Sequence, residues 1–315
     1  MELEIPQKKW SGKIKDITIG TGDKSITIGG ENTLPFHCFE GSIPNKPIIA
    51  IEVQDIYPLD WLDNIKEPFG ECLNNPVEWA KVAVEKYNAD MICLNLRGTH
   101  PERENRSAEG AAELVKNLIS EIDIPLIIQG PGASEKQNRV LNKCGEAAEG
   151  KTCIIASAVE DNYKTVTATC QAYGHIVVAE TPIDVNLAKQ LNILICDMNF
   201  PPERIIIDPL TGGLGYGLEY TYSVMERIRI QALGGDEMLR MPFICFVGQE
   251  TWRVKEVKVS ESEEPLWGDM KKRGICWEAA TAITLLLSGA DILVMRHPEA
   301  VNIIKETADR LMQED

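Results

Sequence analysis

The chain has 315 residues and a mass of 35.0 kDa, a length that suits two average domains or one large α/β barrel. Hydrophobic residues at 44% and charged residues at 25% are typical of a globular protein with a substantial core. The net charge of −16 argues against nucleic acid and against an anionic membrane surface as partners.

The amino-terminal stretch MELEIPQKKW lacks the apolar core of a signal peptide. No run in the chain approaches the ~18 apolar residues that span a membrane. The nine cysteines form no Cys-x-x-Cys pair, and Cys93, Cys153 and Cys245 fall in predicted strands. These features predict a cytoplasmic protein with reduced core cysteines and with no iron–sulfur cluster or zinc site on this chain.

Two alternating segments, GKIKDITIG and KSITIGG, stand near the start of the chain and are joined by Thr21-Gly22-Asp23. Alternation on both sides of a glycine-containing turn predicts a β-hairpin. We therefore expect residues 1–47 to form an N-terminal extension whose hairpin caps one end of the domain that follows.

From residue 48 onward, short apolar runs alternate with longer stretches of helical periodicity. The predicted strands lie at 48–55, 91–97, 125–131, 152–158, 175–180, 204–210, 242–249 and 291–298. The predicted helices lie at 76–88, 107–120, 134–148, 160–172, 183–197, 218–233, 274–288 and 298–312. Strands this uniformly apolar are covered on both faces, so the pattern predicts one (β/α)8 TIM barrel, of class α/β, over residues 48–315.

An open, doubly wound sheet is the alternative, because it also alternates strands with helices. The lengths of the loops favour the barrel. Turns from helix to strand are brief, as at 88–90, whereas the strand-to-helix loops at 55–75 and 250–273 are long. Long loops at the carboxyl ends of the strands are typical of the functional face of a barrel.

The strand ends carry mainly amides, hydroxyls and glycine backbone, with few groups suited to transferring protons. These residues are Glu52, Asp55, Asn95, Arg97, Gln129, Gly130, Ser157, Glu180, Asp208, Thr211, Gly212, Gly213, Gly215, Gln249, Arg296 and His297. Such a set predicts a site for a large neutral ligand that is rich in amide groups.

The glycine-rich segment GGLGYG, residues 212–217, lies between a predicted strand and a predicted helix. A glycine turn before a helix can bind phosphate. This one contains no Lys or Arg, however, and Glu219 starts the helix, while the spacing does not fit a dinucleotide fingerprint. Two interpretations remain: a turn whose glycines serve conformation only, and a close approach of a bulky ligand or partner chain to the backbone.

Metal binding and nucleophilic catalysis find little support in the residues. The four histidines share no ligand spacing, and the chain has no Gly-x-Ser-x-Gly segment.

The two long loops carry large aromatic residues, Trp61 and Phe69 in the first and Trp252 and Trp267 in the second. Such residues either pack back onto the barrel or anchor a partner, and both interpretations stay open.

Several long segments together resemble one family. They are ITIGG, PIIAIEVQD, MICLNLRGTHPE, PLIIQGPGASEKQ, IIIDPLTGGLGYGLEYTYSVMERIR and ADILVMRHPEA, which run collinearly over nearly the whole chain. The family that they resemble is the small subunit of the corrinoid iron–sulfur protein, the delta subunit of acetyl-CoA decarbonylase/synthase.

The resemblance implies a (β/α)8 barrel that is half of a heterodimer. A large subunit carries the iron–sulfur cluster and a corrinoid-binding domain, and the cobalamin-type corrinoid lies between that domain and the mouth of this barrel. Cobalt(I) receives a methyl group from methyltetrahydrofolate, or a related pterin, through a separate methyltransferase, and delivers it to acetyl-CoA synthase in the reductive acetyl-CoA pathway of anaerobes.

The resemblance also gives the strand ends a ligand. A corrin is a wide disc fringed with amides, which needs hydrogen-bonding groups around a broad concavity. We expect corrin contacts from Asn95, Arg97, Gln129, Gly130, Ser157, Asp208, Thr211, Gly212, Gly213, Gly215, Gln249, Arg296 and His297. No histidine stands in an Asp-x-His-x-x-Gly segment, so His297 is expected to bind an amide or to be structural and not to ligate cobalt.

Two alternatives accompany this interpretation. The chain resembles, more distantly, pterin-binding methyltransferases and dihydropteroate synthases, and Asp208 stands where one of their pterin-binding acids would. The third strand, ending in Gln129-Gly130-Pro131, and the fourth, with Ser157, depart from that pattern. The chain could therefore be a pterin-dependent methyltransferase acting on a corrinoid by itself, or an assembly subunit without corrin contact.

Overall fold

Eight parallel strands close into a barrel in the computed structural model, which describes residues 6–132, 134–212 and 217–313. Each strand pairs with the next along the chain, and the last pairs with the first. An antiparallel hairpin, β1–β2, precedes them. The strands are β1 Ile17–Ile19, β2 Ile26–Ile28, β3 Ile48–Gln54, β4 Met91–Asn95, β5 Leu126–Gln129, β6 Ile154–Ala158, β7 Ile176–Glu180, β8 Ile205–Asp208, β9 Phe243–Cys245 and β10 Ala290–Met295.

Helices surround the barrel and connect its strands. They are α1 Asp63–Lys66, α2 Pro76–Glu85, α3 Ala108–Glu121, α4 Ser134–Ala147, α5 Tyr163–Tyr173, α6 Val185–Cys196, α7 Glu219–Leu233, α8 Val247–Thr251, α9 Met270–Leu287 and α10 Pro298–Leu311. Local chemistry starts several of them: the side chains of Asn75, Ser107 and Asp184 accept backbone N–H bonds of the first turn, and Pro76 and Pro298 stand first in their helices. The predicted barrel is confirmed, and the open-sheet alternative is wrong.

The core has two layers, because successive strand residues point to opposite faces. One layer fills the barrel with residues such as Ala50, Cys93, Ile127 and Ile206. The other layer lies between the strands and the helices. Ile17, Ile19 and Ile28 of the hairpin join the interior layer, so the hairpin closes the end of the barrel at which the strands begin, as expected.

A buried arginine ties the N-terminal extension to the barrel. The guanidinium of Arg229, on α7, forms an ion pair with Asp291 of β10 and lies 3.2 Å from a carboxylate oxygen of Glu31, in the extension. Its positive charge also stacks 4.2 Å from the ring centroid of Phe243. Burial, followed by the charge of Asp291, raises the pKa of Glu31 to about 7.

The clearest departure from the predicted elements is at β9. The predicted strand 242–249 ends at Cys245, and Val247–Thr251 forms the short helix α8. Gly248 in this helix comes so close to β10 that a Cβ atom there would lie 2.8 Å from Cγ of Arg296. An apolar run that is buried on all sides carries no periodicity to separate strand from helix, so the sequence alone could not place this boundary.

Five cysteines are buried, and Cys38 and Cys276 are exposed thiols. The expectation of core cysteines therefore holds for Cys93, Cys153 and Cys245, although Cys153 lies just before β6. Among the helices in the described part of the chain, none is long and apolar enough to cross a membrane.

Candidate functional site

The carboxyl ends of the strands form a polar layer on top of the interior core. Two positions after Ala50, Cys93, Ile127 and Ile206, which point into the barrel, come Glu52, Asn95, Gln129 and Asp208. Arg296 follows Val294 in the same way. We call this layer the mouth. The alternation of the strands therefore brings together side chains that are far apart in the sequence.

A buried ion pair occupies one side of the mouth. Nε of Arg296 donates to Oε2 of Glu52 at 2.9 Å, and Nη2 donates to Oε1 at 3.1 Å. Amide groups of Asn95 and Gln54 donate to the same Oε1 at 3.0 and 3.1 Å. Burial acts to raise the pKa of Glu52, but the charge of Arg296 and these hydrogen bonds together lower it, so the carboxylate stays ionised.

Glu278, on α9, supports this pair from behind. Its carboxylate accepts the backbone N–H of Arg296 at 2.7 Å, that of His297 at 3.0 Å and the indole N–H of Trp252 at 2.9 Å. Burial raises the pKa of Glu278 to about 7, against the opposing effect of these donors. The guanidinium of Arg296 also lies 4.7 Å from the ring centroid of Trp61. The arginine is thereby fixed at both its backbone and its side chain.

Two glutamines form a bridge across the mouth. Nε2 of Gln129 donates to Oε1 of Gln249 at 3.4 Å, and Nε2 of Gln249 donates back to Oε1 of Gln129. Gln129 ends β5 and Gln249 lies on α8, after β9, so their strands stand on opposite sides of the barrel. The mouth therefore has a polar floor of amide groups and is not a deep opening into the barrel.

Asp208 arranges the turn that follows β8. Its Oδ1 accepts the backbone N–H of Leu210 at 2.9 Å, and Leu210 adopts a left-handed φ of 65°. Burial, followed by the charge of Glu180 on the neighbouring strand, raises the pKa of Asp208 well above its usual range. Asp208 was expected to contact the ligand, and the role visible here is the structural one of holding its own turn. Beside it, the buried hydroxyl of Thr211 lies at the thiol of Cys245 and makes no regular hydrogen bond with any other described residue.

The structure brings together some of the predicted site residues and separates others. Asn95, Gln129, Asp208, Gln249 and Arg296 share the mouth. Gly130 follows β5 and Ser157 lies on β6, both beside the mouth, and Thr211 and Gly212 follow β8. Gly213 and Gly215 lie outside the described residues.

Arg97 and His297 take other positions. Arg97 pairs with Asp60 at 2.8 Å, outward from the strand ends. The ring of His297 is fully buried, caps α10 by accepting the N–H of Glu299 at 3.1 Å, and stacks on Trp252. His297 follows Arg296 after the end of β10 and serves as the N-cap of α10. Of the two roles expected for His297, the structural one is therefore the one that is visible.

The large aromatic residues divide between the two expected roles. Trp61, Phe69 and Trp252 are buried and pack the long loops onto the barrel. Trp267 is 38% exposed, and its neighbour Leu266 is 99% exposed. Of the four aromatic residues, Trp267 is therefore the one available for contact with a partner.

Glu278 was missed by the sequence analysis. It occupies the same buried face of α9 as Ile275, Ala279 and Ala282, where an unpaired carboxylate would be costly. A lone acid on an apolar helix face was the signal that could have found it. Among the described residues, no group of three or more His, Cys, Asp or Glu side chains is placed to hold a metal ion.

The chain matches the model of the family described as CO dehydrogenase/acetyl-CoA synthase delta subunit over residues 16–310. Acetyl-CoA decarbonylase/synthase complex subunit delta of Archaeoglobus fulgidus is 35% identical over 322 residues, which cover 98% of this chain and 71% of that protein. Subunit delta 1 from Methanosarcina thermophila is 36% identical, over 96% of this chain and 72% of its own length.

Solved structures of similar shape are dihydropteroate synthases. The enzyme from Xanthomonas albilineans in complex with 7,8-dihydropteroate superposes with a TM-score of 0.58 at 13% identity, covering 90% of this chain and 100% of that one. The enzyme from Coxiella burnetii in complex with pteroic acid gives 0.57 at 13% identity, covering 95% and 100%. At such identities the likeness shows a common barrel fold and nothing about ligands.

Proposed function

Because the chain belongs to the CO dehydrogenase/acetyl-CoA synthase delta subunit family, we propose that it is the small subunit of a corrinoid iron–sulfur methyl carrier. In this proposal it forms a cytoplasmic heterodimer with a large subunit that carries the iron–sulfur cluster, and the two hold a cobalamin-type corrinoid between them. The bound cobalt(I) would supply the methyl-transfer chemistry, between a methyltetrahydrofolate-dependent methyltransferase and acetyl-CoA synthase.

The observation that carries the proposal is the polar floor of the mouth. The Gln129–Gln249 bridge and the Glu52–Arg296 pair separate the mouth from the interior of the barrel, so a ligand must lie across the mouth. A wide disc with amides at its edge fits such a surface, since amide groups can donate to it and accept from it.

In this proposal the side chains of the barrel position the ligand and exclude water. Glu52 and Arg296 neutralise each other, so the mouth offers hydrogen bonds without a net charge from this pair. Glu278 holds Arg296 in place. Gly212 has room for close approach of a ligand, since a Cβ there would meet no atom of the described residues nearer than 3.6 Å.

Direct pterin methyltransferase activity is the second candidate, and the shared fold of the dihydropteroate synthases is the observation in its favour. Two features weigh against a ring inserted into this barrel. Oδ1 of Asp208 is engaged by the N–H of Leu210, and the glutamine bridge crosses the centre of the mouth. An assembly role without corrin contact is the third candidate, and exposed Leu266 supports it.

The test is the amount of corrinoid retained by a Gly212→Trp variant that is coexpressed with the large subunit. The added indole would take up space beside the carboxyl end of β8, where the ligand is proposed to approach the backbone. It should lower the ratio of corrinoid to heterodimer, read from the visible absorbance, by about tenfold. Glu85→Trp, at the far end of α2, is the control for bulk and should retain its corrinoid. Full occupancy of the Gly212→Trp heterodimer would contradict the proposal.

The isolated chain separates the remaining candidates. With methyltetrahydrofolate and free cob(I)alamin it should give no methylcobalamin, whereas steady turnover would establish the pterin methyltransferase. A heterodimer that assembles but never acquires a visible corrinoid spectrum would identify an assembly subunit.

A further inference from the structure

A second cavity, separate from the centre of the mouth, lies on its flank. It has a volume of about 320 Å³ and runs between the loops that follow β6 and β7 and the side of α6. Its apolar walls include Leu187, Leu191 and Leu194 of α6 and Leu210 after β8. Leu187 is 40% exposed, so part of this aliphatic wall faces solvent. We call this cavity the lateral groove.

The rim of the lateral groove is acidic. Glu160 and Asp161 follow β6 and are exposed, and Glu180 ends β7. In the described part of the chain, none of these carboxylates lies within 4 Å of a lysine, arginine or histidine nitrogen, and no basic side chain lines the groove. An anion would therefore be repelled, whereas a cation would find negative charge without a competing partner.

A buried hydroxyl adds an independent sign of a missing partner. Thr181 lines the lateral groove and is only 6% exposed, and within the described part of the chain its Oγ1 has no hydrogen-bond partner. Buried polar atoms are nearly always paired, and an exception is commonly completed by a bound molecule. The groove thus combines aliphatic walls, an acidic rim and an unsatisfied hydroxyl.

We propose that the lateral groove binds a lysine side chain of another subunit of the complex. The methylene chain of lysine would lie along the leucines, and its ammonium group would reach Glu160 and Asp161 at the rim. The fit rests on complementary charge and on the aliphatic wall of the groove. It does not depend on the corrinoid, so it stands or falls separately from the proposed function.

The chemistry of the groove is tested with n-hexylammonium, n-hexanol and hexanoate, titrated into the complete chain and followed by calorimetry. Hexylammonium should bind about fivefold more tightly than hexanol, and hexanoate should bind more weakly than either. The double variant Glu160→Gln with Asp161→Asn should abolish this preference. Asp23→Asn with Glu85→Gln removes the same charge at the other end of the barrel and should preserve it. Equal affinity of all three probes would overturn the proposal.

The occupant is identified in the assembled complex. A carbodiimide activates a carboxylate, and a neighbouring lysine amine then displaces the activating group to form an amide bond. The carbodiimide keeps the displaced carboxyl oxygen and is released as a urea. Mass spectrometry should find Glu160 or Asp161 joined to a lysine of another subunit, and the double variant should lose this product. Crosslinks to lysines of this chain alone, or none at all, would show that the groove does not receive a partner's lysine, even if hexylammonium binds.

Discussion

Burial decides the protonation of several carboxyl groups near the strand ends, and Glu278 is the clearest of them. Three N–H donors surround its oxygens, yet the loss of water raises its pKa to about 7. Glu52 differs because Arg296 meets it with a full charge at hydrogen-bond distance, and its pKa is lowered. Two buried acids that share one arginine thus differ in protonation, because only one of them contacts the guanidinium.

The raised pKa of Glu278 should make the stability of the protein depend on pH, and the variant Glu278→Gln tests the sign of this dependence. A carboxyl whose pKa rises from 4.5 to about 7 on folding contributes stability below pH 4.5 that is lost as the pH rises through about 7. The free energy of unfolding of the wild type, minus that of the variant, should therefore fall by about 3 kcal/mol over this window. Urea denaturation at half-unit pH steps measures it, with Glu85→Gln correcting for one lost charge. A difference in the free energy of unfolding that stays constant with pH would contradict this prediction.

Individual site residues could be predicted from the sequence, but their pairing could not. Glu52 and Arg296 both follow apolar runs, which places them at strand ends. Their contact spans 244 positions and exists only because β10 closes the barrel against β3. The Gln129–Gln249 bridge depends on closure in the same way. Sequence periodicity gives the face on which a side chain lies, whereas its partner across the barrel depends on register.

At the scale of elements, the strands and long helices follow from apolar periodicity and from cap residues such as Ser107 and Asp184. The short helices α1 and α8 do not, since four or five residues carry too little pattern. The start of α9 was also placed too late, at 274 and not at Met270. Its N-cap, Asp269, accepts the N–H of Lys272, a signal that stood in the sequence.

The packing of α9 against α8 can be tested at Gly274. A Cβ atom at this position would lie 2.6 Å from Cη2 of Trp252, which is fixed by its bond to Glu278. Although alanine favours helices, Gly274→Ala should therefore destabilise the protein by about 2 kcal/mol, measured by urea unfolding. A Cβ at Gly110, in α3, would lie 3.3 Å from Oγ of the N-cap Ser107, a much milder approach, so Gly110→Ala should stay within about 1 kcal/mol of the wild type. Equal effects of both changes would show that Trp252 moves aside freely.

At the scale of the whole molecule, the N-terminal extension is bound to the barrel at several points. The hairpin isoleucines fill the lower end of the interior core, Glu31 lies beside Arg229, and the N–H of Gly12 donates to the carbonyl of Leu233 at 2.7 Å. The sequence showed the hairpin itself through its alternating residues. That the hairpin caps the barrel was expected, but the contacts of Gly12 and Glu31 could not be foreseen, because they depend on where α7 ends and β10 begins.

These contacts predict that the extension and the barrel unfold together. Ile19→Ala removes a fully buried side chain at their junction and should lower the free energy of unfolding by about 3 kcal/mol. Thr18→Ala, exposed on the same strand, should change it by less than about 0.5 kcal/mol. Hydrogen exchange at Gly12 and at the amides of β8 should share one denaturant midpoint. Separate midpoints would instead make residues 1–47 an independent unit.

The glutamine bridge has a consequence for how anything settles on the mouth. Each of the two amides already satisfies the other, so an incoming amide can engage Gln129 or Gln249 only by swapping one such bond for a similar one. Exchanging one amide hydrogen bond for another adds little to the affinity for the ligand. When the ligand leaves, the two glutamines can form their mutual hydrogen bonds again. A surface that re-forms its own hydrogen bonds would suit the proposed methyl carrier, which has to pass on its methyl group in every cycle.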